Sequence, residues 1–107
     1  MKNRRTFEEF LRTCIRTGKV DLGYRSTLSS IKSAKLIIYS RSLKPEQVEK
    51  LVRASKEANK PVVEFDGTSI ALGRAAAKSF PILALAVRSP GDADINRFIE
   101  VVRDKLR

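Results

Sequence analysis

Apolar residues recur along this chain in two alternating rhythms. Phe7, Phe10, Leu11, Cys14 and Ile15 fall three or four positions apart, one stripe of an amphipathic helix. Thr6 and Glu9 frame its start as a capping box, and Gly18 stands where a glycine ends a last turn. Lys19 to Leu22 then alternates polar and apolar, a short strand with Val20 and Leu22 inward. Gly23 breaks it, and the spacing of Tyr24, Leu28 and Ile31 predicts a second helix running to Lys32.

The alternation continues. Leu36-Ile37-Ile38-Tyr39 is a continuous apolar run, a buried strand. Pro45 suits the first position of a third helix, which turns Val48, Leu51, Val52 and Ser55 inward. Val62 to Phe65 predicts a strand, Asp66-Gly67 a turn, and Thr68 or Ser69 the cap of a helix reaching Ala77. Ile82 to Val87 predicts the last strand. A closing helix then places Ile95, Phe98, Ile99, Val102 and Leu106 on one side.

Nearly continuous apolar strands between helices imply a sheet covered on both faces. The expected fold class is α/β, a three-layer α/β/α sandwich with a four-stranded mixed sheet. Its 107 residues suffice for a single domain spanning 1–107.

Charge narrows the function. The chain carries a formal net charge of +10, an excess that repels itself in a compact body and calls for a polyanionic partner. Eleven of its Lys and Arg residues lie before Pro45, against only Glu8, Glu9 and Asp21. Later charges look internally paired, as Glu46–Lys50 and Glu49–Arg53 at helical i,i+4 spacing. Contact with a polyanion is therefore expected on the first part of the chain, with Arg74 and Lys78 added.

Catalytic chemistry finds little to work with. There is no histidine and one cysteine, which excludes the usual zinc and transition-metal sites. Cys14 falls in the apolar stripe and reads as a small buried hydrophobe, and a lone thiol suits a reducing cytosol. Glu64 with Asp66, or Asp92 with Asp94, would serve as a magnesium site or acid–base pair; the plainer reading is a turn and a helix N-terminus, where acids are favoured. No signal peptide is read in the first ten residues, and the longest apolar run is far too short to span a bilayer. The expectation is a non-enzyme with no cofactor and no membrane partner.

Two segments suggest nucleic acid. At Leu22-Gly23-Tyr24-Arg25-Ser26-Thr27 a strand ends, a glycine intervenes and a helix begins. Glycine lets a phosphate backbone approach closely, and Arg25 follows where it would grip a phosphate or a guanine edge. The hydroxyls of Ser26, Thr27, Ser29 and Ser30 suit phosphate contacts, and Lys32 adds charge. Replacing Gly23 by valine is expected to abolish binding and spare the fold. The alternative is a plain strand–helix corner. At Lys78-Ser79-Phe80-Pro81-Ile82, an aromatic in a proline-stiffened polar loop is a stacking platform for an unpaired base, or else a ring folded back onto the core.

An ordered set of short stretches gives these segments a context. Thr17-Gly18-Lys19, Leu22 to Thr27, Ala34 to Ile38, Pro61 to Phe65, Gly67 with Leu72-Gly73, Leu83 to Val87 and Pro90-Gly91-Asp92 together resemble the L-thirty-e family of archaeal and eukaryotic large-subunit ribosomal proteins, over roughly residues 8 to 96. The resemblance implies an α/β/α sandwich that binds a kink-turn in ribosomal RNA, in the cytoplasm on the ribosome. It also implies neighbouring ribosomal proteins as further partners, and a monomer when free.

Family members contact RNA through the loop before helix two and the loop before the last strand. Carried over, these give Leu22, Gly23, Arg25 and Ser26, then Phe80 and Ile82. Ser42 stands where relatives often have asparagine, with shorter reach, and Ala71 where they have glutamate. The closing helix is longer than usual, which suggests an extra contact. Two rival readings remain at this level: a DNA-coating architectural protein, and a kink-turn adaptor in another ribonucleoprotein.

Overall fold

A computed structural model of the chain describes residues 2–99, with side chains from residue 7 onward. Its elements run α1 (Lys2–Thr17), β1 (Lys19–Leu22), α2 (Tyr24–Ser30), β2 (Leu36–Tyr39), α3 (Pro45–Glu57), β3 (Val62–Glu64), α4 (Ser69–Ala75) and β4 (Ala84–Ser89), followed by helical residues 95–99. The expected Val102 and Leu106 of the closing helix lie outside the described residues, as does the extra contact assigned to its end.

The four strands form one mixed sheet in the order β1-β4-β2-β3. β4 runs antiparallel to both β1 and β2, and β3 runs parallel to β2. Because side chains alternate across a strand, the central pair splits its residues between two cores. Leu36, Ile38, Leu85 and Val87 join Phe10, Leu11, Cys14 and Leu72 of α1 and α4 on one face. Ile37, Ala84 and Ala86 join Leu51 of α3 and the Ile31 that follows α2 on the other. Helices thus cover both faces, as the apolar strands require.

Stacked aromatics fasten the closing segment to α1. The Phe10 and Phe98 rings lie 4.1 Å apart and nearly parallel, and Phe7 stands 5.0 Å from Phe65. Such pairs add about 0.5–1.5 kcal/mol each beyond their burial.

Several boundaries differ from the sequence pattern, each for a local reason. α1 begins at Lys2, so Thr6 lies within the helix and does not cap it. α2 ends at Ser30 because the chain turns at once: the Ser33 and Ala34 N–H groups both donate to the Ser30 carbonyl. α4 stops at Ala75, where the Ala77 N–H turns back to the Arg74 carbonyl. The last strand starts at Ala84, since the Ile82 N–H is engaged by the Ser69 carbonyl, and it runs on to Ser89 opposite Lys19. Pro45 does open α3, and the Thr68 hydroxyl does cap α4 by accepting the Ala71 N–H.

Candidate nucleic-acid interface

The strand directions send four connections to one end of the sheet. β1, β2 and β3 end there and β4 begins there, so the β1–α2, β2–α3, β3–α4 and α4–β4 loops are neighbours. Backbone hydrogen bonds stitch them into one surface. The Gly23 N–H donates to the Ala84 carbonyl at 2.8 Å, and the Ser40 N–H to the Leu83 carbonyl at 2.8 Å. The Arg41 N–H donates to Gly67, and the Ile82 N–H to Ser69. The glycine corner and the aromatic loop therefore meet around the start of β4.

Gly23 has φ 106° and ψ 154°, a conformation essentially reserved for glycine. A Cβ there would meet nothing within 4 Å, so its outer face is open to an approaching backbone. Valine at this position would strain the chain itself, which corrects the expectation that the fold would be spared. Thr27 holds the corner from inside, donating both its N–H and its hydroxyl to the Gly23 carbonyl. Thr27 is fully buried, Ser29 donates to the Arg25 carbonyl and Ser30 to the Asp21 carboxylate. Three of the four hydroxyls expected to meet phosphate are thus used internally, and Ser26 remains exposed beside exposed Arg25. Leu22 is half-buried against the α1-side core.

On the other loop, Phe80 is 49% exposed, a ring presented to solvent instead of folded onto the core. Its backbone lies against α4, where Gly73 leaves room for the Phe80 carbonyl. Ile82 is corrected: at 1% exposure its side chain belongs to the core between α4 and the sheet, and it offers no surface to a base. Ile70, absent from the sequence reading, is 59% exposed on the first turn of α4. It lies one helical turn from Gly73, hence on the face along which the Phe80 loop runs. Ile70 and Phe80 are the two exposed large hydrophobics among the described residues. An isoleucine at an exposed helix start, beside an open aromatic, was the available signal.

Ser42 is also at this end, where its Oγ accepts the Ser69 N–H at 2.9 Å and its own hydroxyl hydrogen stays available to donate. Arg74 and Lys78 flank the surface at the far end of α4. Lys32 is corrected in position. It stands in the turn after α2, and Lys35 just beyond it donates its N–H to the Val87 carbonyl near the other end of β4. The structure does not bring Lys32 to the glycine corner.

Three of the four acids considered for catalysis have side-chain partners, and the fourth, Asp92, is tied down through its backbone. Arg41 pairs with Asp66 at 2.9 Å and with Glu64 at 3.7 Å, all three exposed. Asp94 accepts the Arg97 N–H at the start of the closing helix, and the Asp92 N–H donates to Thr17. No cluster of three or more metal-ligating side chains is found among the described residues. The tyrosine ending β2 has its pKa raised by burial and then by the Glu64 charge beside it on β3.

The profile of a family described as ribosomal protein L7Ae/L30e/S12e/Gadd45 matches residues 5–96. The chain is 41% identical over 95 residues to the large ribosomal subunit protein eL30 of Methanothrix thermoacetophila, covering 87% of this chain and 88% of that one. It is 30% identical over 100 residues to the eL30 protein of Sulfurisphaera tokodaii, covering 92% of each. The eL30 protein of the fungus Neurospora crassa is 41% identical over 83 residues, 76% of each chain.

Proposed function

This chain belongs to the ribosomal protein L7Ae/L30e/S12e/Gadd45 family, and from that premise we propose that it is a structural component of the large ribosomal subunit that binds a kinked segment of ribosomal RNA. The observation that carries the reading is the junction of Gly23 with the start of β4, four residues after an exposed Phe80. A kinked RNA offers what this surface can take: a sharply bent backbone and bases out of the stack.

In this reading the RNA backbone passes over the open face of Gly23. Arg25 supplies a planar charged fork for a phosphate or guanine edge. Ser26 and Ser42 donate hydroxyl hydrogens. Phe80 takes an extruded base on its ring, and Ile70 widens that apolar surface. Arg74 and Lys78 contribute charge at the margin, and the free protein acts as a monomer.

Equilibrium binding to a kink-turn hairpin tests this, with duplex DNA as competitor. Saturable binding that survives excess duplex DNA is the expected result. About three to four neutralised phosphates would give log K against log salt a slope of roughly −2 to −4. Equal displacement by duplex DNA would replace this reading with that of a DNA-coating protein. Failure to co-sediment with large subunits, with hairpin binding intact, would make it an adaptor of another ribonucleoprotein.

A further inference from the structure

Both backbone polar groups of Gly23 are engaged inside the protein. Its N–H donates to the carbonyl of Ala84, the first residue of β4, at 2.8 Å. Its carbonyl accepts two bonds from Thr27, the N–H at 2.9 Å and the hydroxyl at 2.7 Å. A carbonyl oxygen has two lone pairs, so this one is fully occupied. What Gly23 turns outward is an open face that offers space and no hydrogen bond. Recognition at such a face depends on where the backbone stands.

The N–H bond is the ordinary first bond of α2. The hydroxyl bond is an addition to it. The N-cap of α2 is Gly23 itself, which has no side chain to cap the first turn. Inside a helix, a hydroxyl that bonds back one turn is common and adds little. Here the acceptor belongs to a residue with φ 106° and ψ 154°, outside the helical conformation. Glycine loses more conformational freedom on ordering than any other residue, so a corner built on it gains most from an extra bond. The same corner sets the spacing to the aromatic loop. Ala84 follows Phe80 by four residues, and Leu83 between them accepts the Ser40 N–H at 2.8 Å.

We propose that Thr27 is a positioning residue for RNA binding: its buried hydroxyl locks the Gly23 peptide, and with it the distance from the glycine face to the Phe80 loop. The claim rests on the kink-binding reading and extends that surface to a side chain beneath it. Thr27 is fully buried, so it acts through Gly23 and not by touching RNA. The neighbouring hydroxyls do not replace it, since Ser29 donates to the Arg25 carbonyl and Ser30 to the Asp21 carboxylate.

The test separates the hydroxyl from the packing around it. Thr27→Val keeps the volume and removes the hydroxyl. Thr27→Ser keeps the hydroxyl and removes a buried methyl group. Affinity for the kinked hairpin should follow the hydroxyl: weaker by about fivefold or more for Thr27→Val, and within about twofold of wild type for Thr27→Ser. The melting temperature should follow the methyl group, with Thr27→Ser melting no higher than Thr27→Val. A residue that acts only through stability would put the two variants in the same order in both measurements. The salt slope of binding should stay that of the wild type, because no phosphate contact is removed. Hydrogen exchange at the Gly23 N–H should be faster by about tenfold in Thr27→Val than in wild type or Thr27→Ser. If Thr27→Val does not fold, Thr27→Ala against Thr27→Ser gives the same comparison, with alanine the weaker binder by about fivefold.

Hairpin affinity of Thr27→Val within about twofold of wild type overturns the proposal. So does an equal loss in Thr27→Val and Thr27→Ser, or an affinity order that repeats the order of melting. A shallower salt slope in Thr27→Val does the same, since it would mean a lost phosphate contact instead of a displaced face. If the wild-type protein does not bind the hairpin at all, the kink-binding reading fails. Exchange at Gly23 then still decides whether the hydroxyl locks the corner.

Discussion

The Phe80 carbonyl oxygen occupies the space that a side chain on Gly73 would need: a Cβ built there would lie 2.1 Å from it. The helix and the aromatic loop touch backbone to backbone, which aims the Phe80 ring outward. Gly73→Ala must push the loop away from α4. The expected cost is about 1–3 kcal/mol of stability, with weakened binding of the kinked RNA. Calorimetry and hairpin titration measure the two effects, and a variant with unchanged stability and affinity would contradict the close contact.

Gly23 faces a different constraint, one of dihedral angle instead of space. Gly23→Ala leaves open room around the new methyl group but strains the backbone at φ 106°. A loss of about 1–3 kcal/mol is expected, read as a lower denaturation midpoint. Hairpin affinity should fall as well, because the methyl group covers the face assigned to the RNA backbone.

The apolar pair at the loop end separates binding from folding. Both side chains are substantially exposed, so removing either should change stability by less than about 0.5 kcal/mol. Phe80→Ala should weaken hairpin binding by about 1–3 kcal/mol if a base stacks there. Ile70→Ser, which removes only the flank of that platform, should have a smaller effect. Fluorescence titration with an intact melting curve would check both. Unchanged affinity for Phe80→Ala would remove the ring from the interface.

Arg12 ties α1 to the end of α4. Its Nε donates to the Ala75 carbonyl at 3.1 Å, which the helix terminus leaves free, and its Nη2 to the Arg74 carbonyl at 3.2 Å, which it shares with the Ala77 N–H. Arg12→Ala should destabilise the protein by about 0.5–1.5 kcal/mol. The lost charge stands beside Arg74 at the margin of the proposed surface, so hairpin affinity should fall by less than for Phe80→Ala. An unaltered melting temperature would show that solvent replaces both bonds without cost.

Cys14 predicts a pH effect of definite sign. Burial pushes its thiol pKa up from 9.0 to about 11. Between those values the unfolded chain has released its proton while the folded one retains it. Stability is therefore fully present below pH 9 and is lost as pH rises toward 11, at up to about 1.4 kcal/mol per unit. Tyr39, raised in the same direction, adds to the loss at higher pH. Cys14→Ala should flatten the Cys14 part of the decline in urea midpoints between pH 8 and 11. A wild-type midpoint independent of pH would refute the account.

Much of this was legible in the sequence because it depends on local periodicity. The 3.6-residue stripe of α1, the apolar runs of β2 and β4, Pro45 and the Thr68 cap each state their conformation within a few residues. The α/β class follows from their order. Gly23 and Phe80 were readable for the same reason: a break and an isolated aromatic stand out against regular surroundings.

Pairing between distant segments was not legible, since no local pattern encodes it. The Ser69 carbonyl takes the Ile82 N–H and keeps Ile82 out of the strand, placing its side chain in the core. Thr27 turned inward because the Gly23 carbonyl one turn earlier needed donors. Strand order decided the rest. By setting β4 between β1 and β2, the tertiary structure gathered four loops at one end and sent Lys19, Lys32 and Lys35 to the other. Sequence alone determined how much positive charge the protein carries and which elements carry it. Only the fold decided which charges share a surface, because proximity in space is set by hydrogen-bonded register and not by separation along the chain.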